Sequence, residues 1–266
     1  MIRLSLPVIH KKSLGQNFIY DSFILKKIVD SAKNISNCNV IEVGGGVGTL
    51  TRAILNAYPK SLTTLELDKR FSHHHTKLGQ EYKNYNFINC DALKFNLDTV
   101  QNTKVIISNL PYNISTVLLL SWLRCKKKID CLVLMFQKEV AKKIVAKHNT
   151  KQYGILSVLT QLYYRTEILF DVPPSAFVPQ PKVFSSVVRM IPHNNFANSD
   201  KVDLEKLKKL LKICFAQRRK IIKKSLLPAF KDKKTMQAAL FKCKISETLR
   251  AENISVDQFV MLSCHI

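Results

Sequence analysis

Glycine is scarce in this chain of 266 residues, and its placement constrains the fold more than any other feature. Four of the seven glycines are Gly44, Gly45, Gly46 and Gly48. They directly follow Asn39-Val40-Ile41-Glu42-Val43, an apolar, β-branched run that reads as a strand, and precede Thr49 to Ala57, which reads as a helix. Glycines at a strand-to-helix turn allow positive φ and a close approach of backbone to a ligand. Further strand-like runs are Leu62 to Leu67, Tyr85 to Asn89, Lys104 to Ser108 and Cys131 to Phe136, separated by helical stretches such as Val117 to Arg124 and Lys138 to Lys147. Strands alternating with helices predict an α/β fold whose parallel sheet is covered on both faces.

The pattern changes after residue 160. Tyr163 to Phe170 and Val183 to Met190 read as two strands joined by the Pro-rich stretch Val172 to Pro181, a hairpin-like connection that suggests an antiparallel last strand. A polar, Asn-rich break runs from His193 to Asp200, and beyond it Leu204 to Phe215 and Arg218 to Leu227 read as helices. The chain is therefore divided near residue 195, into an α/β domain over 1–195 and a small helical domain over 196–266.

Composition narrows the class. Hydrophobic residues at 46% and charged residues at 23% exclude a disordered or fibrous chain. Lys and Arg number 42 against 19 Asp and Glu, a net charge of +23 that points to a polyanionic partner, nucleic acid ahead of an anionic membrane. Part of the Lys excess is the residue usage of an AT-rich genome. The seven cysteines are odd in number and form no C-x-x-C pair, which argues against a disulfide framework and a Cys-type zinc site. No apolar run approaches the length of a membrane span and no signal region opens the chain, so a reducing, cytoplasmic location is expected. The contiguous His73-His74-His75 point in different directions on a helix, and no metal site is read there.

Two ligand classes fit the glycine loop: a dinucleotide or S-adenosylmethionine. A dinucleotide asks for G-x-G-x-x-G; here Gly44, Gly46 and Gly48 give G-x-G-x-G, which favours a nucleoside over a pyrophosphate. Glu66 ends the second strand, where a carboxylate accepts both hydroxyls of a ribose. Asp91 follows the third strand and suits the exocyclic amino group of an adenine. One such acid would read as a solvated loop residue; acids at the ends of successive strands read as a site.

Asn109-Leu110-Pro111-Tyr112 follows the fourth strand. An adenine amino nitrogen is a poor nucleophile because its lone pair is delocalised into the ring. Two acceptors on its N–H groups favour a tetrahedral nitrogen with a localised lone pair; an Asn carbonyl and a backbone carbonyl held rigid by Pro supply them. This is stabilisation by placed dipoles, with Tyr112 as a stacking face for a flipped base. Phe177, between Pro173-Pro174 and Pro179-Pro181, reads as a second stacking ring presented by a stiff loop rather than as a core residue. Arg218, Arg219, Lys220, Lys223 and Lys224 form a cationic stretch without an acid, read as an RNA-binding surface. Lys126-Lys127-Lys128 reads as a solvated loop.

These motifs together resemble the S-adenosylmethionine-dependent small-subunit ribosomal RNA adenine N6,N6-dimethyltransferases of bacterial type. The likeness runs through Lys11 to Ile19, Glu42 to Thr51, Asn89 to Phe95, Asn109 to Tyr112, Val172 to Arg189, Gln217 to Lys220 and Arg250 to Asn253. It implies a Rossmann-like methyltransferase domain followed by a helical RNA-binding domain. Gln16, Asn17 and Ile19 would fold over the S-adenosylmethionine, Gly44 and Gly46 would lie against it, Glu66 would hold its ribose and Asp91 its adenine. Asn109 would touch both cofactor and target amino group, with Leu110 and Pro111 completing the motif and Tyr112 and Phe177 sandwiching the base. The implied reaction dimethylates two adjacent adenosines in the 3′-terminal hairpin of 16S rRNA, in an immature small ribosomal subunit, with no metal and by a monomer. One departure is Gly45, where the family usually has Pro; another is Ile19 for the usual Leu. The alternatives are a large-subunit rRNA adenine methyltransferase, an N6-adenine DNA methyltransferase and a non-catalytic ribosome-assembly factor.

Overall fold

The computed structural model of the chain describes residues 15–97, 103–123, 129–193 and 202–266. The sequence readings on residues 1–14, on Lys126 to Lys128 and on 194–200 lie outside the described residues.

The first strand, β1 (Phe18–Ile19), leads through α1 (Ser22–Asp30) to β2 (Asn39–Val43). Alternation then sets in: α2 (Thr49–Leu55), β3 (Ser61–Glu66), α3 (Ser72–Glu81), β4 (Tyr85–Asn89), β5 (Thr103–Asn109), α4 (Ser115–Trp122), β6 (Cys131–Gln137) and α5 (Lys138–Val145). β2 pairs in parallel with β3 and β5, β3 with β4, and β5 with β6. Consecutive residues Val40-Ile41, Ile106-Ile107 and Leu132-Val133-Leu134 are all buried, so both faces of the central strands are covered. That double burial is why these strands read as continuous apolar runs rather than as alternating ones.

The chain continues through α6 (Ile155–Gln161), β7 (Tyr164–Val172), β8 (Phe177–Val178) and β9 (Ser185–Pro192). β9 runs antiparallel to β6, in keeping with the hairpin-like connection, and the sheet order is β4-β3-β2-β5-β6-β9-β7. This is a Rossmann-like α/β fold with a mostly parallel sheet. The short β1 pairs antiparallel with β8, setting Ile19 opposite Phe177.

The residues form two compact units, Met1–Ala141 with Ile168–Met190, and Lys142–Glu167 with Ile191–Ile266. The second unit thus takes in α6, which the division near residue 195 places in the first. It holds α7 (Leu204–Ala216), α8 (Ile222–Leu226), α9 (Lys233–Lys242) and α10 (Val256–Ser263). Side chains stop the exposed N–H groups at the helix starts: Asp203 accepts from Glu205 N and Lys206 N, Asp232 from Thr235 N, and Ser255 from Gln258 N. Its core includes Tyr153, Phe215 and Phe259, whose rings meet at centroid distances of 6.1 and 5.7 Å. The helix expected from Arg218 begins later. Gln217 leaves helical geometry at φ −128°, ψ 57°, residues 217–220 form a turn, and Ile221 bridges Arg250 before α8 starts.

Ile107 lies fully buried in β5, whose last residue opens the Asn109 motif. Ile107→Ala should lower the free energy of unfolding by about 2–5 kcal/mol, read by urea denaturation.

Candidate cofactor site

A cavity of about 230 Å³ opens at the carboxyl ends of β2, β3, β4 and β5, lined there by Gly44, Glu66, Asp91 and Asn109. A parallel sheet brings the ends of neighbouring strands together, so residues up to 65 positions apart share one wall.

The glycine turn requires its glycines. Gly44, Gly46 and Gly48 have φ of +77°, +52° and +84°, a region that suits residues without a Cβ. Gly48 is the N-cap of α2. A Cβ on Gly46 would stand 2.2 Å from a ring carbon of Phe18, and one on Gly44 would point at Pro111 Cδ, 3.4 Å away. The loop and the Asn109 motif are therefore immediate neighbours.

Glu66 is buried, and its carboxylate is held by two backbone donors, Gly46 N at 2.8 Å and Asp68 N at 2.7 Å. Burial raises its pKa, and these N–H groups oppose that rise. Asp68 accepts from Gln16 Nε2 at 2.9 Å and from Arg70, whose guanidinium holds its carboxyl well below the usual carboxylate range. The Gln16 segment is thereby tied to the end of β3. Asn109 Nδ2 donates to the Asn17 carbonyl at 2.8 Å, which fixes the amide plane and leaves its Oδ1 as the acceptor end. Ser108 Oγ donates to Val43 O at 2.5 Å, binding β5 to the start of the glycine loop.

The structure places the expected residues in two groups. Gln16, Asn17, Gly44, Glu66, Asp91, Asn109, Leu110, Pro111 and Tyr112 all line the cavity. Ile19, Gly46 and Phe177 do not. Ile19 belongs to the core; Gly46 sits behind the wall, bonded to Glu66. Phe177 is 1% exposed and packs in the same core as Ile19, so it is a core residue and not the second stacking ring that its Pro-flanked loop suggests. The 3₁₀ turn Pro174–Ala176 and the β1–β8 pairing direct its ring inward. Tyr112 lines the cavity, and its hydroxyl meets Ser185 Oγ at 2.6 Å.

The cationic stretch also divides. Arg218 Nη2 donates to Lys151 O, Tyr153 O and Glu252, so it braces the helical unit from within. Lys223 pairs with Glu247 at 3.4 Å, while Arg219, Lys220 and Lys224 are exposed. Among the described residues, no three His, Cys, Asp or Glu side chains converge as a metal site requires.

The family model for ribosomal RNA adenine dimethylase matches residues 9–266. The chain belongs to the ribosomal RNA adenine dimethylase family. It is 44% identical over 257 residues to ribosomal RNA small subunit methyltransferase A of Neorickettsia sennetsu, covering 96% of this chain and 97% of that protein. The protein of the same name from Anaplasma marginale is 45% identical over 254 residues, covering 95% and 92%. Among solved structures, a dimethyladenosine transferase from Plasmodium falciparum superimposes with a TM-score of 0.81 at 28% identity, covering 92% of this chain and 95% of that one. The 23S rRNA methyltransferase ErmE shares the fold, with a TM-score of 0.68 at 23% identity over 93% of this chain and 98% of that one. As a member of this dimethylase family, the chain is an enzyme whose methyl donor is S-adenosylmethionine.

The residues present suit that donor. An open cavity beside a side-chain-free turn leaves room for a ligand, and Glu66 and Asp91 on its wall offer the acceptors that the hydroxyl and amino donors of a nucleoside would require. Two features were not read from the sequence. Asn113 approaches Gly15, its Oδ1 3.2 Å from where a Cβ would stand. His75 bonds the glycine loop from behind, with Nε2 3.0 Å from Gly46 O. A histidine in a run of three gives no sign of which one faces inward; α3 decides it.

Glu42, at the end of β2, is buried and accepts from Thr51 Oγ1 at 2.6 Å and Thr64 Oγ1 at 2.9 Å. Burial pushes its pKa up to about 7 from an ordinary 4.5. The fold thus favours protonated Glu42, and that stabilisation is full below pH 4.5 and is lost as pH rises to about 7. Glu42→Gln should keep the threonine bonds and flatten this part of the profile. The stability difference between variant and parent should grow in the variant's favour across that interval, measured by urea denaturation at a series of pH values.

Proposed function

We propose that this protein transfers methyl groups from S-adenosylmethionine to N6 of two adjacent adenosines in the 3′-terminal hairpin of 16S rRNA, on an immature small ribosomal subunit in the cytoplasm, and that it acts as a monomer. The observation that carries the reading is the meeting of the glycine loop and the Asn109 motif, with Gly44 set against Pro111 in the cavity wall. Preference for the small subunit rests on the near-full-length relatives that carry that name.

Bound S-adenosylmethionine supplies an electrophilic methyl group on a sulfonium. In our reading Glu66 accepts the ribose hydroxyls while its inner lone pairs stay on Gly46 N and Asp68 N. Asp91, whose Oδ1 already accepts from Leu93 N, receives the adenine amino group. Asn109 Oδ1 and the carbonyl of Leu110 accept the two N–H bonds of the target amine, so that its lone pair localises toward the methyl. Asn17 O prevents the Asn109 amide from turning over. Tyr112 stacks on the target base, and Ser185 sets the orientation of its ring. The 1–195 portion carries the chemistry and the helical portion from 196 onward holds RNA through Arg219, Lys220 and Lys224, with Arg218 and Lys223 shaping that surface.

Methyl transfer from labelled S-adenosylmethionine to unmethylated small subunits, large-subunit RNA and duplex DNA tests the substrate class. Label only in the small subunit, at adjacent adenosines, is the expected outcome; label in large-subunit RNA would select the rival enzyme. Asn109→Ala should lower turnover by about 100- to 1000-fold, as for removal of a placed dipole, and weaken cofactor binding far less. An equal loss in both would make Asn109 structural. For RNA binding, replacing Arg219, Lys220 and Lys224 by Ala should make the slope of log K against log salt shallower by about 2, in a titration of RNA at several salt concentrations.

A further inference from the structure

His75 is fully buried on α3, yet its sequence position gives it no place in the motifs above. Its ring stacks on Phe87 of β4 at 4.5 Å, nearly parallel. Nε2 lies 3.0 Å from Gly46 O, and Nδ1 lies 2.6 Å from the hydroxyl of Tyr85. A carbonyl oxygen only accepts, so Nε2 carries the hydrogen; Nδ1 then accepts from the Tyr85 O–H. The Gly46 peptide is consequently held on both sides, its N–H by Glu66 and its C=O by His75. Tyr85, His75, Gly46 and Glu66 make one hydrogen-bonded chain that ends on a carboxylate of the cavity wall.

Gly45 is what admits the imidazole. A Cβ at Gly45 would lie 2.7 Å from His75 Cε1 and 2.3 Å from Thr64 Cγ2. The turn at Gly45 has ordinary backbone geometry, so the missing side chain answers a need for space and not for a left-handed conformation.

We propose that His75 is a positioning residue for cofactor binding: by holding Gly46 O it fixes the peptide that in turn fixes Glu66, in space that Gly45 leaves open. This rests on the reading that the glycine loop and Glu66 hold the cofactor. The other ionisable groups around it are Tyr85 on β4, Glu66 across the Gly46 peptide, Glu42 on the far side of Thr64, and His73 and His74 on its own helix. Burial lowers the imidazole pKa to about 4, which agrees with a neutral ring that donates from Nε2 only.

The test is S-adenosylmethionine binding by calorimetry at pH 7.5 to the full chain, for the parent and for His75→Phe, His75→Gln, His75→Ala, Gly45→Ala, the Gly45→Ala/His75→Ala pair, and Glu66→Ala. His75→Phe fills the site without donating and should weaken binding about 10-fold, the scale of one well-placed hydrogen bond. His75→Gln restores a donor and should bind within about 3-fold of the parent, a rescue that a merely space-filling residue would not show. Gly45→Ala should weaken binding, and its loss should be smaller once His75 is Ala, because the two compete for the same space. Equal binding by His75→Phe and the parent, while Glu66→Ala is weakened, would overturn the proposal and leave the site reading intact. Unchanged binding by Glu66→Ala would instead refute the site reading. Nitrogen-15 NMR of the parent histidines covers the case of variants that do not fold. A neutral Nε2–H ring at pH 6 that shifts on cofactor addition supports the proposal, and an imidazolium or Nδ1–H ring overturns it.

Discussion

The geometry of the site depends on one peptide group. Gly46 donates its N–H to Glu66 and is met at its carbonyl by His75, while Phe18 covers the position where a side chain would be. A loop of consecutive glycines is costly to order because each has many backbone states in the unfolded chain. Two hydrogen bonds to one buried peptide offset that cost where precision is needed, since a buried N–H or C=O left without a partner would itself be destabilising. The glycines allow close approach; the bonds to Glu66 and His75 choose one conformation among the many that glycines permit.

Around that peptide the parallel sheet supplies registry. β2 and β5 lie side by side, so Gly44 and Pro111 face each other although 67 positions separate them in the chain. Ser108 adds a side-chain bond to Val43 O at the same edge. The Gln16-Asn17 segment then crosses the strand ends and is tied at two points, to Asp68 at β3 and to Asn109 at β5. In the proposed reaction, cofactor contacts and acceptor contacts for the target amine would thus be linked through Asn109, which is bonded to Asn17 and lines the cavity.

Where the central strands lie was readable because burial on both faces leaves mostly apolar runs, whereas Tyr85 to Asn89, none of whose residues is fully buried, is legible from its aromatic and β-branched residues. Asn39 to Val43 and Tyr85 to Asn89 match their strands in full. The cavity residues were readable for a related reason: they follow those runs directly, and the carboxyl edge of a parallel sheet is where ligands bind. What failed concerned side-chain direction in segments without a period. Phe177 sits in a Pro-flanked loop that looks made for display, but pairing of Phe177–Val178 with Phe18–Ile19 turns alternate residues inward, and a two-residue strand leaves no pattern to detect. Arg218 looked like one more surface cation; its three acceptors come from residues 34 to 67 positions away, which no local reading supplies. His75 escaped for the same reason as its neighbours were dismissed: on a helix only one of three consecutive residues faces the sheet.

Charge in this protein works at two ranges. At +23 the molecule as a whole attracts RNA, yet the same field opposes a cationic sulfonium. Over a screening length of about 8 Å at physiological salt, distant lysines lose most of their influence, while groups in contact with the ligand keep theirs. Glu66 and Asp91 stand at the cavity wall, and Glu42 lies just behind it. In the proposed function local acids would therefore decide what binds in the cavity, and the exposed basic surface would decide which polymer comes near it. The two demands conflict only where a carboxylate must be buried. For Glu66 the fold answers with backbone N–H groups rather than with a cation, so that carboxylate stays in place without cancelling the negative potential that a sulfonium would meet.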